Sequence, residues 1–363
     1  MGLTVVKLGS SIVAEQNGGL RSDVFSWVGS DVAALRKAGE QVIIVTSGAI
    51  ALGVSAIDLE SRPKALDELQ AASAIGQGAL YQAWESQLKG EGLIAAQVLL
   101  TLHDISERSS SLNVAATLRR LLTWGAVPVV NENDTTTTDE ITFGDNDLLA
   151  SQVAILLGAQ RLVLLTEVDG LHETDPREDP RSAIVSDVVS IKELDKFSIS
   201  QSANSLGSGG MRSKVVAAEM ATSAGIETTI ASGLQAGTLL AAVTGKSIGT
   251  RFHASETKIG SFKAWLRYVK PASGRIIVDQ GAAKALQDDG TSLLAVGVTE
   301  VEGRFEAGDA VEVVFADRVL GKGLASLSAD QLSKVMGMKS EQIRELLPMA
   351  ASEVIHRDRF ASA

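Results

Sequence analysis

The sequence predicts an α/β protein, in which a doubly wound, mainly parallel sheet sandwiched by helices precedes a small β-barrel-like domain. Three observations lead there. Short apolar runs alternate with helically spaced stretches through the first part of the chain. Those runs are apolar on both faces, as strands covered by helices above and below must be. After about residue 271 the pattern changes to short β-rich runs broken by Gly and Asp turns. At 363 residues, 45% of them hydrophobic, the chain exceeds what one core usually organises, so two domains are expected.

Residues 4–8 (Thr-Val-Val-Lys-Leu) form the first strand and end at Gly9-Ser10-Ser11. A helix over 21–38 follows, with Val24, Val28, Val32 and Leu35 on one face and Gly39 as its stop. The run 42–45 ends in Thr46-Ser47-Gly48-Ala49, and an Ala- and Gln-rich helix spans 65–90. The alternation continues through Leu93–Leu100, a helix at about 107–124, Val127–Val130, a helix at about 146–157, and Leu162–Leu165. Glycines then punctuate 235–270, and Lys270-Pro271-Ala272-Ser273-Gly274 reads as a boundary. Beyond it, runs at 276–278, 293–296 and 311–314 predict strands, and a helical tail is expected from about 328 to 347. The division expected is a first domain over 1–255, a linker over 256–270, a second domain over 271–350 and a tail over 351–363.

Composition removes several function classes. With 44 acidic against 33 basic residues, the formal charge is -11, and the far field repels nucleic acid and anionic membranes. Residues 271–363 alone carry 10 basic and 14 acidic side chains, a net of -4, which disfavours RNA binding by the second domain. The absence of cysteine excludes disulfides and thiolate metal sites. The four histidines, at 103, 172, 253 and 356, have no metal-ligand spacing. There is no Gly-x-Ser-x-Gly elbow, and the first strand–helix turn has no Gly-x-Gly-x-x-Gly. Met1 to Lys7 does not read as a signal peptide, and about 18 apolar residues never run together, so a cytoplasmic protein with no membrane span is expected.

Ligands of open α/β sheets bind at the carboxyl ends of the strands, and four polar or Gly-rich segments fall there. In Lys7-Leu8-Gly9-Ser10-Ser11 a lysine and a bare backbone suit phosphate, although a strand lysine before an ordinary turn reads the same way. Ser47-Gly48-Ala49-Ile50-Ala51-Leu52-Gly53 leaves space for a ligand against the backbone, or equally serves tight helix–sheet packing. Asn131-Glu132-Asn133-Asp134 and Phe143-Gly144-Asp145-Asn146-Asp147 flank one polar loop. Their carboxylates suit a cation, either Mg²⁺ or the ammonium of an amino-acid substrate. Gly207-Ser208-Gly209-Gly210-Met211-Arg212-Ser213-Lys214 opens a helix whose N-terminal N–H groups suit phosphate, with Lys214 in reach of it. It is not a P-loop, and a flexible turn into a helix fits it as well.

In this order the segments VKLGSS (6–11), VTSGAIALG (45–53), NEND (131–134), FGDND (143–147), LLTEVDGL (164–171) and GSGGMRSK (207–214) resemble the amino acid kinase family. The likeness is to its members that phosphorylate glutamate on the side-chain carboxylate. It extends to the tail at 353–358, and the part after 271 resembles the PUA domain that bacterial members append. The resemblance implies ATP and Mg²⁺, with the metal carried mainly through ATP. It implies that Lys7 and Lys214 stabilise the phosphoryl group in flight and that Asp147 organises them. Ser47, Asn131, Asp134, Asp145 and Asn146 would bind L-glutamate. Gly9, Thr166, Glu167 and Ser208, Gly209, Gly210, Met211, Arg212, Ser213 and Lys214 would bind ATP, with Lys7 shared. Glu167 departs from the aspartate usual there. The resemblance also implies inhibition by L-proline and a homo-oligomer, a tetramer. A loop over 132–143 is expected to shield the product. The nearest alternatives are relatives acting on aspartate, carbamate, acetylglutamate or UMP.

Overall fold

The computed structural model describes residues 2–15, 18–59, 61–136, 145–190, 194, 210–255, 261–268, 270–288, 290–339, 342–343, 346 and 353–362. It divides into two compact units, Met1–Ile259 and Gly260–Ala363.

The strands of the first unit are β1 (Leu3–Leu8), β2 (Gln41–Val45), β3 (Ala95–Leu100), β4 (Val127–Glu132), β5 (Arg161–Thr166), β6 (Asp187–Val188), β7 (Glu227–Ser232) and β8 (Thr250–Phe252). Between them run α1 (Ser10–Val13), α2 (Ser22–Lys37), α3 (Ala49–Ala56), α4 (Leu66–Gly90), α5 (Leu102–Ser106), α6 (Arg108–Thr123), α7 (Asp145–Leu157), α8 (Met211–Ser223) and α9 (Thr238–Val243). The sheet order is β3-β4-β2-β1-β5-β7-β8-β6. Neighbours are parallel except β7 and β8. The expected doubly wound, mainly parallel sheet is borne out.

Both faces of the central strands are covered. Val6, Leu8, Val42, Ile44, Val163 and Leu165 share a core with Val24, Val28, Val32 and Leu35 of α2 and with Trp84 and Leu88 of α4. The spacing that predicts α2 is therefore the spacing of its core contacts. The alternate residues Val5, Ile43, Leu162 and Leu164 are buried too, on the side where α7 packs over β1 and β5. Their burial on either face explains why the runs lack the apolar–polar alternation of a one-sided sheet.

The winding sets the position of the site. The chain passes from β1 to β2 on one side of the sheet, and later reaches β5 on the other side of β1. The crevice outside the carboxyl ends of β1 and β5 is thus the topological switch point. Register brings Lys7 of β1 level with Val45 of β2 and Leu164 of β5, so Lys7 and the residues after β2, β4 and β5 open onto one edge.

The small residues of segment 48–53 serve close packing of helix on helix, where helix on sheet was the expected form of packing. Gly48 takes φ +111°, the left-handed conformation that favours glycine, and caps α3. Gly53 of α3 lies against the Ala72 carbonyl of α4, and Gly76 of α4 against the Ala49 carbonyl; a Cβ at either position would collide with backbone. The two helices cross at backbone contact, which fixes α4 over the end of β2. Trp84 Nε1 secures the same placement by donating to Thr46 Oγ1 at 3.1 Å inside the core.

The second unit holds β9 (Gly274–Val278), β10 (Val298–Gly303), β11 (Ala310–Phe315), β12 (Arg318–Leu324) and β13 (Phe360–Ser362), in the order β10-β9-β11-β12-β13. All neighbours are antiparallel except β9 and β11. Its helices are α10 (Ser261–Tyr268), α11 (Gln280–Gln287) and α12 (Ala329–Val335). Three readings change here. Residues 293–296 are not a strand: Leu293 forms one bridge with Ile355, and a 3-10 turn follows at Ala295–Gly297. The run is apolar because Leu293 and Ala295 fill the core, and burial alone does not distinguish a turn from a strand. Residues 261–268 of the expected linker form α10, where Phe262 and Leu266, one helical turn apart, pack on Ala310 and Ala361. The tail supplies β13, with Val354 and Ile355 in the core. Of the helical tail, α12 is present, opened by a Ser328–Gln331 capping box; residues 340–341, 344–345 and 347–350 lie outside those described.

Candidate active site

Three charged side chains meet at the switch point. Lys7 comes from β1, Asp147 from the first turn of α7 and Lys214 from the first turn of α8. Asp147 is fully buried, and each lysine is 4% exposed. Lys7 Nζ lies 2.6 Å from Asp147 Oδ1, and Lys214 Nζ lies 3.2 Å from Oδ2. Ser213 Oγ stands 2.8 Å from the same Oδ2 and 2.9 Å from the Gly210 carbonyl. Ser151, one turn beyond Asp147, donates to the Ala217 carbonyl at 2.9 Å, which pins α7 to α8.

Burial by itself would raise the pKa of Asp147. The two ammonium groups and the Ser213 hydroxyl outweigh that and hold it well below the usual carboxylate range. The Lys7 pKa is lowered as well, here because burial prevails: it outweighs the opposing pull of Asp147, and Lys214 adds to the lowering. The three side chains sum to one positive charge in a site from which water is largely excluded. Charges held there act at low dielectric and gain from a polyanion that approaches them.

A second cluster occupies the neighbouring strand ends. Asn146 is adjacent to Asp147 on α7, and its Nδ2 donates to Ser47 Oγ at 2.9 Å and to Asn131 Oδ1 at 3.1 Å. Asn131 Nδ2 in turn donates to Gln77 Oε1 at 2.7 Å. Asp134 accepts from Ser73 Oγ at 2.6 Å. Burial raises the Asp134 pKa, against the opposing pull of the Ser73 hydroxyl and the Arg62 charge. Consecutive residues of α7 therefore serve two clusters, cationic at Asp147 and polar or acidic around Asn146.

The amino acid kinase family model matches residues 2–232, and a PUA domain model matches residues 274–347. Glutamate 5-kinase of Thermus thermophilus is 42% identical over 359 residues, which is 98% of this chain and 96% of that protein. The enzymes of the same name from a Thermoanaerobacter species and from Methylobacillus flagellatus are 40% and 41% identical, each over 98% of this chain and 96% of their own. The chain belongs to the glutamate 5-kinases of the amino acid kinase family.

In this amino acid kinase the residues read as nucleotide-binding are only partly gathered. Gly9 follows β1, with its N–H donating to the Leu165 carbonyl at 3.3 Å. A Cβ there would stand 3.7 Å from Lys7 Nζ, so glycine keeps the backbone bare beside the ammonium. Thr166 is buried at the end of β5, and Glu167 is exposed just after it. Gly210 caps α8, Met211 is half-buried and Arg212 points to solvent. Ser208 and Gly209 lie outside the described residues, as do 137–144 of the polar loop and the side chain of Asp145.

The sequence reading missed Ser73 and Gln77, which come from α4 to the Asp134 and Asn131 side chains. The signal was present: Ser73 and Gln77 are four residues apart in an alanine-rich helix and share a face. Arg62, in the segment before α4, was missed as well. Its charge acts on Asp134, and its own pKa is lowered by burial.

Proposed function

We propose that this amino acid kinase transfers the γ-phosphoryl group of ATP to the side-chain carboxylate of L-glutamate. The product is L-glutamyl 5-phosphate, the first intermediate on the way to proline. The observation that carries the reading is the buried Lys7–Asp147–Lys214 cluster at the switch point of the sheet. The substrate follows from the glutamate 5-kinases that match almost the whole chain.

The chemistry asks for these residues. A glutamate side chain has a reference pKa near 4.3 and is ionised at neutral pH, so it attacks without a general base. The difficulty is bringing two anions together and stabilising charge on the equatorial oxygens of the phosphoryl group in transfer. Lys7 and Lys214 stand where that charge develops, each oriented by one oxygen of Asp147. Ser213 fixes the Asp147 carboxylate, and the N-terminus of α8 at Gly210 adds favourable potential for phosphate. Asp147 is engaged by both ammoniums, so the site suits a magnesium ion carried on the nucleotide, where it would neutralise phosphate charge. Gly9, Thr166 and residues 210–214 line the nucleotide side in this reading.

On the other side Asp134 receives the substrate ammonium, and Ser47, Asn131 and Asn146 supply polar contacts. Asp134→Ala is expected to raise the glutamate KM by about 10–100-fold, in line with the loss of a charge-assisted hydrogen bond, and to leave the ATP KM near that of the parent. Since burial raises the Asp134 pKa, the carboxyl becomes neutral at a higher pH than an ordinary aspartate. Glutamate affinity should fall as pH drops through that raised value, and Asp134→Asn should abolish this limb. Loss of ATP affinity instead would remove Asp134 from the substrate site.

L-proline, which also carries a carboxylate and a cationic nitrogen, would compete for these residues. A homotetramer working in the cytoplasm completes the reading; among the described residues no helix is long and apolar enough to cross a membrane. Glutamate-dependent ADP release with hydroxylamine trapping of the acyl phosphate is the decisive assay. Hydroxamate is expected only with glutamate and ATP together. Turnover with aspartate, carbamate, acetylglutamate or UMP in place of glutamate would overturn the assignment.

A further inference from the structure

A line of side-chain hydrogen bonds crosses from α4 to α7 in one direction. Gln77 Oε1 accepts from Asn131 Nδ2 at 2.7 Å, and Asn131 Oδ1 accepts from Asn146 Nδ2 at 3.1 Å. Asn146 Nδ2 also donates to Ser47 Oγ at 2.9 Å. This uses both amide hydrogens of Asn146 and leaves its Oδ1 buried with no partner among the described residues. A buried acceptor without a donor is uncommon in a finished site, and such an atom at a ligand site awaits a donor from the ligand. The amide group has a donor end and an acceptor end, so the direction of the first bond sets that of the rest.

We propose that Gln77 is a positioning residue for the kinase reaction: by accepting from Asn131 it fixes the direction of this line and turns the Asn146 carbonyl oxygen toward the substrate ammonium. The inference rests on the proposed glutamate reaction and deepens it. Were Gln77 to donate instead, Asn131 would turn its Nδ2 toward Asn146, and Asn146 would present its NH₂ to a cation. Ser73 reinforces the arrangement from the same face of α4, because its hydroxyl holds Asp134 at 2.6 Å. One helix, set over the strand ends by the Gly53 and Gly76 contacts, thus orients both polar groups offered to the ammonium.

The test separates the acceptor of Gln77 from its bulk. Gln77→Glu keeps an acceptor and the shape, whereas Gln77→Met keeps the shape without it, and Gln77→Lys offers only donors. The methionine variant is expected to raise the glutamate KM about tenfold and the lysine variant more, with the ATP KM unchanged. The glutamate variant should stay within about threefold of the parent. Melting temperatures taken alongside identify any variant that does not fold, and the lysine variant substitutes for methionine in that case. Unchanged KM in the methionine and lysine variants, or equal damage from glutamate and methionine, overturns the role of Gln77 alone. A parent enzyme that forms no glutamyl hydroxamate overturns this inference together with the reaction it rests on.

Discussion

Lys214→Ala should lower kcat by about 10²–10³-fold, the range seen when one preorganised group is taken from a developing anion. Glutamate binding should remain largely intact, because Lys214 is seated on the Asp147 carboxylate, whereas the proposed substrate contacts are centred on Asn146 and Asp134. Lys7→Ala is expected to behave alike, since its ammonium sits on the other oxygen of the same carboxylate. The measurement is kcat under saturating ATP and glutamate, with glutamate affinity taken separately by calorimetry. Lys214→Arg makes the argument sharper. Arginine retains the charge but spreads it over a planar fork, and the 3.2 Å seat beside Asp147 is 4% exposed. Charge alone would preserve the rate in the arginine variant, whereas a requirement for a compact ammonium would not. Near-normal kcat in either alanine variant would remove that lysine from the phosphoryl site.

Much of this site was legible because parallel strands end at one edge. Once the runs at 4–8, 42–45, 127–130 and 162–165 are read as such strands, the polar residues that follow them must converge. The amphipathic spacing of α2 was equally readable. Other features were not. Ser73 and Gln77 lie mid-helix, far along the chain from the loops they support, and only the crossing of α3 and α4 at Gly53 and Gly76 brings them over Asp134 and Asn131. In the second unit, Leu293–Val296 looked like a strand because a buried turn is as apolar as a buried strand. The helix Ser261–Tyr268 was hidden in a stretch punctuated by glycines, where Phe262 and Leu266 are too few to set a period.

Asp147→Asn is expected to damage both stability and catalysis, for one electrostatic reason. Asp147 is fully buried between two ammoniums. Neutralising it leaves two like charges facing each other with no countercharge between them, and breaking a buried ion pair from one side costs about 3–5 kcal/mol. The pH dependence follows from the shifts. The parent Asp147 has a depressed pKa, so its stabilisation is complete above the ordinary aspartate value and is lost only as pH falls through the lower folded-state value. At pH 7 the parent therefore has that contribution in full and the variant has none. Lys7 already lies below its ordinary value, with Asp147 opposing the shift; without the carboxylate it falls further. Its proton then leaves at lower pH, which relieves the repulsion. The gap in melting temperature between parent and Asp147→Asn should narrow as pH rises, and the alkaline limb of kcat should move toward neutrality. A variant with the parent's melting temperature and alkaline limb would mean that Asp147 does not hold the lysines in place.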